Sequence, residues 1–138
     1  MGKLSCTCGH LIIDQSDSLP HKGWILKDTD HDTVYNSIAD ECEMFVNAVV
    51  DGKRDAWLQQ YFRGANTRDA SHSDVFFHFV SALLRKHLRE MFECSECGRL
   101  WVQKPGCINE FVPFQPDSGQ LEHVLRASPE NDPGSQTG

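Results

Sequence analysis

Two short cysteine motifs, separated by most of the chain, constrain the fold more than any other feature of the sequence. Residues 6–9 read CTCG, and residues 94–98 read CSECG and lead directly into an apolar run. Four thiolates on two tight turns form a closed tetrahedral metal site that leaves no coordination position for a substrate. We therefore predict one structural Zn²⁺, with iron as the alternative because four thiolates also bind iron. The predicted ligands are Cys6, Cys8, Cys94 and Cys97.

The residues around the two cysteine pairs favour metal binding over redox chemistry. Gly9 and Gly98 each follow the second cysteine of a pair, where the turn favours a positive φ that a residue with a Cβ resists. Backbone N–H groups in such a turn can donate to the sulfurs. In a thioredoxin-like redox pair the motif begins a helix, whereas the pattern here predicts a helix that ends at Cys94.

The remaining cysteines and two histidines allow alternative ligands. Cys107 could replace one cysteine of the first pair, although its place in a predicted hairpin turn favours a free cysteine. Cys42 lies on an apolar helical stripe and is interpreted as a core residue. His10 could compete for the metal, but a position beside the ligands or at the surface is the better interpretation. His31 lies between two aspartates, and helix capping explains that cluster without a metal or catalytic role.

Length, composition and charge restrict the class of protein. The chain has 138 residues, which predicts one domain with a core of its own. It contains no apolar run of the roughly 20 residues that a membrane-spanning helix needs, and its N-terminus lacks a secretory signal, so we expect a cytoplasmic protein without membrane contacts. Six cysteines in that compartment indicate metal binding rather than disulfides. The formal net charge of −7 disfavours contacts with phosphate backbones and favours a basic partner.

Apolar residues at intervals of three and four predict three helices between the motifs. The first helix follows the capping residues 29–33 and runs to about Val50, and the second spans 53–63. Ser73 is the predicted N-cap of the third helix, whose apolar stripe over 75–92 leads directly to the second cysteine motif.

Short apolar segments outside the helices predict strands at 11–13, 23–26, 99–103 and 108–114, the last two joined by a turn at 104–107. We therefore predict an α+β fold, in which a small zinc-ribbon-like antiparallel sheet carries a packed helical insertion at about 31–93. The domain is expected to cover 1–114, and 115–138 to form a mostly flexible tail because its last residues cannot contribute to a core.

The two cysteine turns carry a family resemblance. Residues 94–100 (CSECGRL), together with residues 6–9, resemble the knuckle pair of zinc-ribbon and rubredoxin-like proteins, and the resemblance covers about a third of the chain. It implies the same four cysteines as ligands, although the CxC spacing and the long helical insertion depart from the ribbon pattern. The layout is also similar to small uncharacterised bacterial proteins with CxCG and CxxCG motifs. Some small acidic proteins of that kind are immunity proteins beside toxins, which implies a similar role here.

The acidic first helix suggests a function in protein binding. Five acidic residues and no Lys or Arg occur within 32–51, and they are Asp32, Asp40, Glu41, Glu43 and Asp51. We expect a non-catalytic, zinc-stabilised module that uses these residues to bind a protein, most specifically as an immunity or inhibitor protein for a basic toxin such as a nuclease. A solvated helix face is the simpler interpretation of the same residues. A closed metal site and the lack of a local Ser, His and Asp arrangement argue against an enzyme.

Zinc-ribbon proteins also bind nucleic acids or act as regulators, and this is the alternative function. The residues for it would be Arg63, Arg68, Arg85, Lys86, Arg89 and Arg99, with Trp101 either stacking on a base or packing in the core. The overall acidity argues against nucleic acid as a partner. An assembly or adaptor subunit is a third possibility, and the sequence leaves the oligomeric state open.

Overall fold

The structure, a computed structural model, describes residues 2–63, 69–120 and 122–125. In chain order its elements are β1 (Gly2–Ser5), β2 (Leu11–Asp14), β3 (Lys22–Ile25), α1 (Asp28–Val50), α2 (Arg54–Tyr61), α3 (His72–His87), β4 (Arg89–Glu93), β5 (Leu100–Gln103) and β6 (Phe111–Phe114). The predicted α+β class is confirmed, because antiparallel sheets and helices both occur. The chain divides into a sheet unit, which ends at Ile25 and resumes at Arg89, and a helical unit over Leu26–Leu88.

The sheet unit contains two antiparallel sheets in the described residues. β1 and β2 form a two-stranded hairpin, and β3, β4, β5 and β6 form a four-stranded sheet in that order. A small core of buried residues consists of Cys6, Ile12, Phe92, Cys94 and Trp101. Two of the predicted metal ligands are therefore part of the core of this unit.

The helical unit has its own apolar core, formed where the stripes of the three helices meet. The buried members of this core are Phe45, Leu58, Val75 and Phe79. Phe45 packs edge-on against Phe76, with the ring centroids 5.4 Å apart. At the start of α3 the Ser71 hydroxyl accepts the Asp74 N–H, and the Asp74 carboxylate accepts the Ser71 N–H. This reciprocal capping box begins the helix two residues before the predicted N-cap, Ser73.

The boundaries of the helical unit differ from the prediction at both ends. The first helix begins at Asp28, one residue before the expected capping residues 29–33, which therefore lie inside the helix, and its N-cap Lys27 makes no side-chain capping bond. The third helix ends at His87, so the prediction that it continues to Phe92 is wrong. Met91 and Phe92 lie in β4 instead, because each pairs with strands on both sides. A short apolar run fits a helical and a strand pattern equally well, and sheet pairing decided between them.

The remaining strands also differ in their limits. β1 was not predicted as a strand, and β6 begins at Phe111 rather than at residue 108. The connection between β5 and β6 is closed by the Lys104 N–H, which donates to the Glu110 carbonyl at 2.8 Å. Within the described residues, none of the helices combines the length and the apolar character required to cross a membrane.

The C-terminal segment is attached to β4 where the structure describes it. Glu93 is buried, and its carboxylate lies 2.6 Å from the Nδ1 of His123 and accepts the Leu125 N–H at 2.9 Å. These contacts place 122–125 against the sheet unit. The expectation of a flexible tail stays a prediction for residues 126–138, which lie outside the described residues.

Candidate metal centre

The first cysteine pair lies in the turn that joins β1 to β2. The Cys6 N–H donates to the His10 carbonyl at 2.8 Å, and the Gly9 N–H donates to the Cys6 carbonyl at 2.9 Å. Gly9 has a φ of 95°, so the predicted positive φ is confirmed. These hydrogen bonds close a tight turn, so both cysteine side chains of the pair project from the same short loop.

The second pair lies in the turn that joins β4 to β5. The Cys94 N–H donates to the Arg99 carbonyl, the Gly98 N–H donates to the Cys94 carbonyl, and both distances are 2.9 Å. Gly98 has a φ of 65°, again as predicted. The segment before Cys94 is a strand, not the expected helix, and the contrast with a thioredoxin-like pair still holds because no helix begins here.

The two turns bring the four sulfurs of Cys6, Cys8, Cys94 and Cys97 within 4.8 Å of one another. Between the pairs, the Sγ atoms of Cys6 and Cys97 are 3.5 Å apart and those of Cys8 and Cys94 are 3.6 Å apart. Metal–sulfur bonds of about 2.3 Å in a tetrahedron require sulfurs about 3.8 Å apart. The four side chains therefore fit one tetrahedral metal ion, and they are the four that the sequence predicted.

Burial and hydrogen bonds distribute charge unevenly over the cluster. Burial acts to raise the pKa of Cys6, but the backbone N–H of Cys8 and donors that include Trp101 and Cys97 outweigh it and lower that pKa to about 5. Burial raises the pKa of Cys94 to about 12 and also raises the pKa of Cys97. These environments favour the thiolate at Cys6 and disfavour it at Cys94 and Cys97, and a bound divalent cation would favour ionisation of those two.

The indole of Trp101 supports the fit to a metal-bound thiolate. Its Nε1 is buried and forms no hydrogen bond of ordinary geometry within the described residues. The indole nevertheless lies close enough to Cys6 to lower the pKa of that thiol. A buried N–H without an oxygen acceptor is costly, and a charged sulfur accepts at longer range. With 8% exposure Trp101 is a core residue and does not offer a face for stacking on a base.

The alternative ligands lie outside the cluster. Within the described residues the cluster contains neither Cys107, which is in the β5–β6 connection, nor Cys42, which packs on the helical core as predicted. His10 is paired with the Ser95 hydroxyl across the two turns, at 3.1 Å from its Nε2. His31 is exposed within α1 and does not cap it, so the capping interpretation is wrong.

The five acidic residues predicted to bind a partner do not share one environment. Asp32, Asp40, Glu43 and Asp51 are exposed. Glu41 is half-buried, and within the described residues its Oε2 is buried without a hydrogen-bond partner. Glu41 precedes the buried Phe45 by four residues, which places it on the core side of the helix. The interpretation of these acidic residues as a solvated helix face therefore does not hold for Glu41.

Sequence reasoning missed the side chains that surround the sulfurs. Arg99 was a candidate for nucleic-acid binding, but its guanidinium contacts Cys6, Cys97, Thr7 and Gln115. Its place directly after the CxxCG turn was the available signal. Of the other arginines in that group, Arg68 lies outside the described residues.

Residues 2–118, which include both cysteine turns and all three helices of the described residues, match a family described as Domain of unknown function (DUF8617). No curated protein and no solved structure matches the chain. The family description names neither a metal nor an activity. Because the match covers most of the 138 residues, the chain belongs to the DUF8617 family.

Proposed function

We propose that this protein is a non-catalytic binding module, held together by one Zn²⁺, whose first helix binds a basic partner protein. The observation that carries the proposal is a mixed acidic and apolar surface on α1. We define the outer face of α1 by its exposed residues Asp32, Tyr35, Asp40, Glu43, Met44, Val46 and Val50. The proposed site is this face, and the metal centre has a structural role.

Apolar side chains on the outer face distinguish it from a solvated helix surface. Tyr35 is 61% exposed, Val46 48% and Val50 78%. At about 100° per residue these three project within roughly 60° of one another. Asp32 and Glu43 lie beside them on the same helical projection. Clustered exposed apolar residues with a polar rim are typical of protein interfaces.

Charge defines the chemistry of the proposed partner. The sequence has no Lys or Arg between Lys27 and Lys53, so α1 itself supplies neither residue to neutralise the acidic side chains of the outer face, although Asp32 lies 3.2 Å from the Nδ1 of His31. Within the part of the chain that the structure describes, Asp40 and Glu43 form no ion pair. Such a face attracts a basic protein and speeds its association. The specific form of the proposal is an immunity or inhibitor protein for a basic toxin such as a nuclease.

Zinc is the proposed metal because four thiolates in a small, partly buried cluster form the common closed structural zinc site. The six free cysteines of the described residues fit a reducing compartment, for which we propose the cytoplasm. Metal analysis of the purified chain is expected to give one zinc per chain. Iron in its place would change the metal but would leave the structural role intact.

The partner proposal is tested by co-purification and matched charge variants. The tagged chain is expected to retain a stoichiometric basic protein from its native host. Asp40→Lys with Glu43→Lys should reduce the association rate of the purified pair by more than tenfold at low salt, since steering depends on these charges. Asp17→Lys with Asp117→Lys, at exposed positions in the sheet unit, makes the same change in net charge and should have little effect. Equal binding by both double variants would refute the proposed surface.

A further inference from the structure

Arg99 contacts the sulfur cluster through its side chain and its backbone. Its Nη1 lies 3.9 Å from the Sγ of Cys6 and 3.8 Å from the Sγ of Cys97. The guanidinium therefore joins one sulfur of each pair. The backbone N–H of Arg99 also donates to the sulfur of Cys97. The Arg99 carbonyl also accepts the Cys94 N–H at 2.9 Å.

The guanidinium is held in place by groups from two other segments. Nη1 donates to the Thr7 hydroxyl, between the cysteines of the first pair. Nη2 donates to the Oε1 of Gln115, just after β6, at 3.0 Å. A planar fork with several N–H donors can satisfy these acceptors at once, whereas the single ammonium of lysine cannot reproduce that geometry.

The charge of an occupied site makes this cation important. A divalent ion with four thiolates carries a net charge of −2, and two of the sulfurs, on Cys6 and Cys94, are buried. Buried charge is costly unless an opposite charge or hydrogen bonds compensate it. Within the described residues, the positive charge that hydrogen-bonds sulfurs of the cluster belongs to Arg99. We propose that Arg99 compensates the charge of the metal centre and thereby sets its affinity for a divalent ion.

The zinc affinity of the 138-residue chain tests this inference. Competition with a chromogenic chelator should show that Arg99→Gln weakens Zn²⁺ binding by about 10–100-fold, the usual effect of removing a partner of metal ligands. Arg99→Lys keeps the positive charge but loses the planar set of N–H donors, so its Zn²⁺ affinity should lie between those of the wild type and Arg99→Gln. Arg85→Gln removes an exposed arginine of the helical unit and should change affinity less than about twofold. Equal affinities for Arg99→Gln and Arg85→Gln would overturn the inference.

A second readout separates charge compensation from a purely structural contact. The absorption spectrum of the cobalt form should show that Arg99→Gln still binds metal, with S-to-Co²⁺ charge-transfer bands for thiolate ligands and d–d bands for tetrahedral geometry. In the iron-loaded chain the reduced centre carries one more negative charge than the oxidised centre, so a nearby cation favours the reduced form. Arg99→Gln should therefore lower the reduction potential, and Arg99→Lys should have a potential close to that of the wild type. An unchanged potential with weakened zinc affinity would show that Arg99 only clips the turns together. Absence of any Zn²⁺ binding by the wild-type chain would instead remove the metal centre itself, without bearing on the partner-binding face.

Discussion

Removal of the metal is expected to unfold the sheet unit while the helical core remains. The two units have separate buried clusters, and only the cluster in the sheet unit contains metal ligands among the described residues. In that cluster Cys6 and Cys94 are 5% and 0% exposed, so these two predicted ligands are also part of the core. Loss of the metal would leave buried thiols held by small strands of four or five residues.

The expected magnitude is large. Structural zinc sites contribute an apparent binding free energy of about 10–16 kcal/mol at neutral pH, whereas whole domains are stable by about 5–15 kcal/mol. The free energy of metal binding is therefore as large as, or larger than, the whole free energy of unfolding of a small unit, so the sheet unit should not stay folded without the metal. The helical core, with Phe45 and Phe79 at 1% and 0% exposure, has no ligand in it and should keep its packing.

Hydrogen exchange with mass spectrometry measures both units in one experiment. Chelation under reducing conditions, or Cys94→Ser, should abolish protection in β4 and β5 and preserve it in α3. Cys107→Ser is the matched control, because Cys107 lies outside the sulfur cluster of the described residues. Full protection of β4 and β5 in the chelated chain would refute a structural role for the metal. Loss of protection in α3 to the same extent would refute the independence of the helical core.

Three further outcomes follow from packing and titration. Phe79→Ala should destabilise the helical unit by about 3–5 kcal/mol in chemical denaturation, while Phe77→Ala, at a 75% exposed position, should have little effect. Hydrogen bonds from Ser71 lower the pKa of Asp74, so Ser71→Ala should raise that pKa in an NMR titration and cost about 1 kcal/mol as a lost N-cap. Because the pKa of Asp74 is lower in the folded state than in the unfolded state, its carboxylate stabilises the fold above the unfolded-state pKa. This stabilisation is lost as the pH falls through the folded-state pKa. The stabilities of the wild type and of Ser71→Ala should therefore converge in that pH range. Burial raises the pKa of Cys94, so metal binding should release protons from the thiols. Zinc affinity measured by competition should therefore rise with pH across the neutral range. An affinity that does not change with pH would contradict ionisation on binding.

The cysteine site was predictable because its information is local. Each pair lies in a short turn, and the glycine that follows it marks the backbone conformation of that turn. Closed tetrathiolate chemistry then requires two such turns to meet, whatever lies between them. The same logic could not locate Arg99, since its contacts with Thr7 and Gln115 depend on which hairpins lie side by side.

The error at the end of α3 has a comparable cause. An apolar stripe at helical spacing runs on into Met91 and Phe92, and periodicity alone continues the helix. β3, which lies more than sixty residues earlier, pairs with this segment, and that pairing is invisible in a local window. Glu41 was grouped with the solvated acidic residues because of its charge, although its helical position turns it toward Phe45.

A closed metal centre also directs the search for function away from the cysteines. Four sulfurs around one ion would leave no open coordination position for a substrate, and the side chains beside the cluster include the guanidinium of Arg99 and the buried indole of Trp101. Exposed apolar residues occur on several elements, and those on α1 lie in a stretch that has acidic residues and no Lys or Arg. Apolar exposure costs solubility unless a partner covers it, whereas acidic residues alone would suffice for a solvated helix. The combination favours a binding surface on α1 and makes its apolar residues, as much as its charges, the positions whose substitution should weaken the partner.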